Sequence, residues 1–209
     1  MKKPTLARVF WSVIILLSAY YLFRGIRFRF LTEGNLETKV FWYVFHFLTA
    51  LAPLILGPFQ FSKSLRIKNV KIHRTLGKIY LLGSLLGGIS AFVLGVRIDL
   101  EGSIVSLILL SLIWIFMVVA AWVTIRNGNI KDHRLFAIRS YGLALVFVFL
   151  RLIGDIPQEK LFFFIESPEM RDSTLEWISW IIPLLAIELV ISWIPALKVK
   201  RKFKSQVID

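Results

Sequence analysis

"FHFLTALAPLILGPFQFSKSLRIKNVKIHRTLGKIYLLGSLLGG", residues 45–88, decides the fold. An apolar run ends at Gln60, a turn with Lys63, Arg66, Lys68, Lys71 and Arg74 but no acid follows, and a second apolar run begins. Each run, extended outward, reaches the ~20 residues that carry a helix across the roughly 30 Å hydrocarbon core of a bilayer. Two such runs joined by a short basic turn read as a membrane hairpin.

The rest of the 209-residue chain agrees. It is 57% hydrophobic and 14% aromatic, with a mean hydropathy of +0.72. One soluble core of this size cannot bury so much apolar surface, so the excess faces lipid. The fold class is therefore all-α, a polytopic bundle of about six transmembrane helices forming one integral membrane domain over residues 1–209. The spans run roughly over 8–26, 40–61, 74–96, 103–125, 133–153 and 175–197. The start, "MKKPTLARVFWSVIILLSAY", has a basic region and an apolar stretch but no convincing small-residue cleavage site after it, so it reads as a retained first helix.

The formal charge of +13 does not point to nucleic acid, because the basic residues cluster beside the apolar runs. Residues 63–78 hold six basics and no acid, and 198–204 hold five basics. Segment 126–134 has three basics against Asp132, whereas 155–176 has six acids against Lys160 and Arg171. This alternation places both termini and the basic turns in the cytoplasm, against anionic lipid of the inner membrane. Segment 24–39 dissents, with Arg24, Arg27, Arg29 and Lys39 against Glu33 and Glu37 on the outer side. In the long outer connector, residues 160–165 read as an amphipathic segment at the interface.

Small and polar residues mark the packed faces. Span two carries Tyr43, His46, Thr49, Ala50, Pro53, Gly57 and Gln60 on one stripe. Span three carries Gly77, Tyr80, Ser84, Gly87, Gly88, Ala91 and Gly95, and span five His133, Ala137, Ser140, Tyr141, Ala144, Val148 and Arg151. These three spans are expected to form the tight inner bundle. Arg139 and Glu188 lie deep in spans five and six, where a charge needs a partner, and they are candidates for one ion pair. Such a pair can equally serve only to fix helix register.

"KIHRTLGKIY" at 71–80 and "KDHRLFAIRSY" at 131–141 look like two copies of one device, and hold two of the three histidines. The copies run parallel, so the inverted repeat of many transporters is absent. His73 and His133 begin outward-running helices at similar depth, with each histidine at the edge of its helix; His46 lies far from both. Two histidines at equal depth can ligate a b-type haem axially, with Arg74 and Arg134 on its propionates. The plainer reading is that each His-Arg pair meets lipid phosphates at a helix start. His46 is better placed to hydrogen-bond within the bundle than to hold a cofactor. Without cysteine there is no disulfide, thiolate metal site or cysteine nucleophile. No metal site is expected, His73 and His133 serving as ligands only if haem is bound.

The hairpin at 45–88, "HRLFAIRSY" and "LALVFVFLR" resemble a bacterial family of predicted membrane proteins catalogued as domain-of-unknown-function family 2306. The resemblance covers about residues 40–152. It rests on His46 with its later Gly57-Pro58-x-Gln60, on His73-Arg74 with Gly77 and Tyr80, and on His133-Arg134 with Arg139, Ser140, Tyr141 and then Arg151. Where that pattern commonly has Gly-Arg, this chain has Gly77-Lys78. The resemblance implies a membrane class and a motif set, and no chemistry.

The leading expectation is a polar, basic ligand site near the cytoplasmic face, built from His73, Arg74, His133, Arg134, Arg139, Tyr80, Tyr141, Gln60 and His46. It suits an anionic head group, a quinone or a haem. Alternatives are a b-type redox protein with His73 and His133 as axial ligands, a small transporter using Arg139 and Glu188 with His46, and a non-catalytic assembly protein. No Walker loop, HExxH helix, serine elbow or dinucleotide fingerprint occurs.

Overall fold

Lipid offers the backbone no hydrogen bonds, so a spanning chain must satisfy its amides within helices, and this chain does so. The computed structural model describes residues 4–32, 38–97 and 101–198, with side chains over 9–24, 41–97 and 102–198. Its elements are α1 (Pro4–Thr32), α2 (Thr38–Gln60), α3 (Lys63–Lys68), α4 (Val70–Val96), α5 (Glu101–Arg126), α6 (Ile130–Ala144), α7 (Val146–Gly154), α8 (Gln158–Leu161) and α9 (Pro168–Glu188). A π-helical turn, Leu189–Trp193, carries α9 into α10 (Ile194–Lys198). No strand occurs among the described residues.

Five helical stretches are long and apolar enough to cross a membrane: Phe41–Gln60, Val70–Val96, Gly102–Arg126, Ile130–Gly154 and Pro168–Lys198. Val9–Arg24 is a shorter apolar helix. Large apolar side chains point outward on every long helix, among them Leu16, Phe23, Leu48, Leu82, Phe116 and Val190. The result is an all-α polytopic membrane bundle.

Contacts fix the direction of each helix. Gly83 of α4 packs on Ala52 of α2, and Gly77 on Gln60, so α2 and α4 are antiparallel. Gly87 meets Trp114 and Gly95 meets Leu107, so α4 and α5 are antiparallel too. Trp11 lies against Phe61 and Tyr141, while Tyr21 reaches Asp155 past the end of α7. Hence α1 runs beside α6–α7, in the same direction. The start of α1, the start of α4 and the end of α9 therefore share one face of the bundle, the basic one.

The core is wider than the three stripes imply. Glycines do draw α2 against α4: a Cβ at Gly83 would sit 2.5 Å from the Ala52 Cβ and 3.0 Å from the Thr49 carbonyl oxygen. Pro53 lacks the amide that would otherwise bind that carbonyl. But α5 is equally central. Ala121, Ser106 and Ser111 are fully buried and Val118 nearly so, and α5 touches α4, α6 and α9. Its sequence is apolar all round and has no stripe to read, which is how a helix with neighbours on several sides is written.

Three further expectations need correction. The fifth span stands as one stretch, Ile130–Gly154, with a break at Leu145 between α6 and α7, but Arg151 in it is exposed over the Phe147 ring rather than inside the bundle. Tyr43 is 36% exposed, at the rim of its stripe. At 160–165 only the start is helical: α8 ends at Leu161, Phe162 turns inward, and Phe163 and Phe164 face out. Of the dissenting connector, Arg24 is paired with Asp155; the side chains of 27–39 and the basic tail beyond Lys198 lie outside the described residues.

Candidate functional site

Both His-Arg pairs occupy the same place in their helices. α4 starts at Val70 and α6 at Ile130, which makes His73 and His133 the fourth residue of each. They lie one turn inside, not at the very edge that their sequence position suggested. The Tyr80 and Ser140 hydroxyls are 3.1 Å apart and hold the two helices in a register that keeps the histidines level.

The two imidazoles are nevertheless used differently. His133 Nδ1 lies 2.8 Å from the Ala121 carbonyl. A carbonyl only accepts, so Nδ1 carries the proton and a neutral ring presents Nε2 as its acceptor. The tight turn after α5, with Gly128 at φ +75° and Asn129 accepting from the Asp132 amide, places that carbonyl beneath the ring. Before α4 the chain instead forms α3, capped by Ser62. His73 Nδ1 is buried and has no partner, with Arg66, Arg74 and His133 as its electrostatic neighbours.

Gln60 on α2 and Tyr141 further along α6 lie on the packed faces of their helices. The Gln60 Oε1 lies 3.1 Å from where a Gly77 Cβ would be, one turn beyond His73, and its Nε2 is buried without a partner. The Tyr141 ring fills the space of a missing side chain at Gly57, its Cε2 only 1.9 Å from the ideal Cβ, and its hydroxyl is also unpartnered. Trp11 and Phe61 stack at 5.7 Å and both pack against Tyr141. Three neighbouring helices thus each carry one buried, unpaired polar atom, with Trp11 and Phe61 covering the Tyr141 ring, and Lys63, Lys68, Lys71, Arg74 and Lys78 lie around the start of α4. Arg74 and Arg134 are exposed there.

Other named residues lie elsewhere. His46 Nδ1 is 3.0 Å from the Gly87 carbonyl and 3.1 Å from Ser90 Oγ, so it joins α2 to the C-terminal half of α4. Arg139 binds Glu188 through two nitrogens, with Nη2 2.9 Å from both Oε2 and Ser192 Oγ. That pair sits between α6 and α9, whereas His46 sits between α2 and α4. The structure therefore does not bring Arg139, Glu188 and His46 to one path. Among the described residues, no group of three or more His, Cys, Asp or Glu can hold a metal ion.

Trp11 and Phe61 escaped the sequence reading. Phe61 adjoins Gln60 and could have been suspected; Trp11 is visible only once α1 is seated. At the opposite end, the Asp155 carboxyl is held below its usual range first by the Arg24 guanidinium 2.5 Å away, against partial desolvation, with the Tyr21 hydroxyl donating as well.

Compared with known proteins, residues 43–191 match a family model described as a predicted membrane protein, DUF2306. No curated protein and no solved structure matches the chain.

Proposed function

The chain belongs to the DUF2306 family of predicted membrane proteins, and from that premise we propose that it binds the anionic head group of an inner-membrane lipid at its basic face. The carrying observation is that Gln60 Nε2, His73 Nδ1 and the Tyr141 hydroxyl, on three neighbouring helices, are all buried and unpaired. Native proteins pair nearly all such atoms with protein, water or ligand. The oxygens of a phosphate or carboxylate head group can accept from donors of this kind, while Arg74 and Arg134 at the rim supply charge. Entry from the bilayer places the acyl chains beside Trp11 and Phe61.

Lipid titration tests this. Protein in mild detergent should be stabilised by phosphatidylglycerol far more than by phosphatidylcholine, and Gln60→Leu or Arg74→Ala should remove the preference. Equal stabilisation by both lipids defeats the proposal.

Topology belongs to the same reading: the basic face is cytoplasmic. The chain has no cysteine, so single-cysteine variants report cleanly. Lys71→Cys should resist an impermeant thiol reagent in intact cells and Phe163→Cys should react. The reverse pattern inverts the orientation.

One observation favours a second ligand. His73 and His133 are level, and His133 offers Nε2; were a b-type haem bound here, the two histidines would hold its iron and Arg74 and Arg134 would meet its propionates. A Soret band that is lost in both His73→Ala and His133→Ala supports this reading. Protein from haem-supplemented cells with no such band ends it.

A further inference from the structure

One face of α4 is small or polar nearly from end to end: His73, Gly77, Tyr80, Ser84, Gly87 and Ser90, in steps of three or four. At helical rise this seam extends about 25 Å, close to the thickness of a hydrocarbon core. Packing explains the glycines. It does not explain the hydroxyls, since alanine at Ser84 would pack as well without a buried polar atom.

Seven buried side-chain polar atoms lack a partner among the described residues, and four of them lie on this seam: His73 Nδ1, Gln60 Nε2, the Tyr141 hydroxyl and Ser84 Oγ. Ser84 is fully buried and Tyr141 is 5% exposed. The order along the seam is continuous. Gln60 meets α4 at Gly77, and one turn on, the Tyr80 and Ser140 hydroxyls are bonded. Ser84 comes next, within electrostatic reach of the Tyr80 hydroxyl but without a hydrogen bond of normal geometry. His46 then bonds Gly87 and Ser90. Successive α4 positions along the seam are about one helical turn apart, roughly 5 Å in rise, a spacing that one water can bridge.

We propose that the α2–α4–α6 seam is a proton-transfer file joining His73 at the basic face to His46 in the opposite half of the bundle. An imidazole takes a proton on one nitrogen and releases one from the other, and a hydroxyl accepts one as it donates one. The Gln60 amide orients its neighbours and carries no proton. One proton moves down its electrochemical gradient, and nothing is oxidised or reduced. The file bypasses Arg139 and Glu188, which bind each other on the far side of α6.

The experiment uses the full chain in liposomes loaded with a pH-sensitive dye, under a potassium diffusion potential set by valinomycin. The interior should acidify several-fold faster than in protein-free vesicles. Ser84→Ala and His46→Leu should return the rate to the protein-free level, Ser84→Thr should keep it, and Glu188→Gln should leave it unchanged. Ser84→Ala deletes only an unbonded hydroxyl, and monodisperse elution verifies that it folds. A wild-type rate equal to that of empty vesicles overturns the proposal, as does wild-type conduction in both Ser84→Ala and His46→Leu. Lipid preference is a separate readout, so failure here leaves the head-group reading standing, and the reverse.

Discussion

Tyr80 and Ser140 share a 3.1 Å hydrogen bond between hydroxyls and stand sixty positions apart, the separation of His73 from His133 as well. The contact sets the register between the two copies of the His-Arg device. Either Tyr80→Phe or Ser140→Ala strands a buried hydroxyl or empties its place, at a cost of about 1–3 kcal/mol. The double variant should lose less than the sum, because neither partner is then left wanting. Thermal unfolding in detergent, read as a double-mutant cycle, measures the coupling; strict additivity denies it.

Gly57 is the tightest position in the site. Its ideal Cβ would lie inside the Tyr141 ring, which is itself confined by Trp11 and Phe61. Gly57→Ala should therefore destabilise by about 1–3 kcal/mol, as over-packed interiors do, and Tyr141→Leu in the same chain should restore much of it. Gly77→Ala faces only the Gln60 amide, 3.1 Å away, and should be milder. Equal losses at both glycines would mean that the Tyr141 ring moves aside freely.

What the sequence made legible follows from what each residue can do in lipid. Gly77 and Gly87 announced a close helix pair because a glycine in an apolar span has few other uses, whereas Gly83, which makes the tight contact with Ala52, lies off the stripe that the sequence offered. Arg139 and Glu188 announced each other because neither charge is tolerated alone at that depth. By contrast, α5 has only Ser103, Ser106 and Ser111 to show that it is central, and Trp180 donating to Ser106 is a contact no periodicity reveals. The break at Leu145 has neither proline nor glycine at the residue itself. The differing roles of His73 and His133 are invisible in "K-x-H-R", since they arise from the preceding segment: a tight turn in one copy, α3 in the other.

The Arg24–Asp155 pair ties α1 to the end of α7, and its pH dependence has a definite sign. The Asp155 carboxyl is lower in the folded protein than in the unfolded chain, so the folded state holds that proton less firmly. The pair's contribution is full above the ordinary carboxylate range of about 4 and is lost as pH falls through the lower folded value. Both side chains are more than a third exposed, 55% and 38%, so screening keeps the contribution small. Asp155→Asn should lower the unfolding temperature slightly at neutral pH, and the difference should shrink in acid and in high salt. A gap that widens in acid contradicts the assignment.

Glu188 ends α9 where the helix widens into its π turn, and Ser192 within that turn donates to Glu188 Oε2 at 2.8 Å while accepting from Arg139. A wider turn rotates position 192 relative to a regular helix, which lets both side chains meet one guanidinium. The side chains of Arg139 and Glu188 retain 14% and 23% exposure, so breaking the pair should cost near the lower end of the roughly 3–5 kcal/mol seen for buried pairs. Glu188→Gln and Arg139→Leu should each show that loss, and Ser192→Ala less. Arg139→Met with Glu188→Leu should recover most of it, because no uncompensated charge remains in the bilayer. Restored stability with unchanged proton flux and lipid preference would identify the pair as the register lock of α6 on α9. Restored stability with altered flux would instead place it in the working part of the protein.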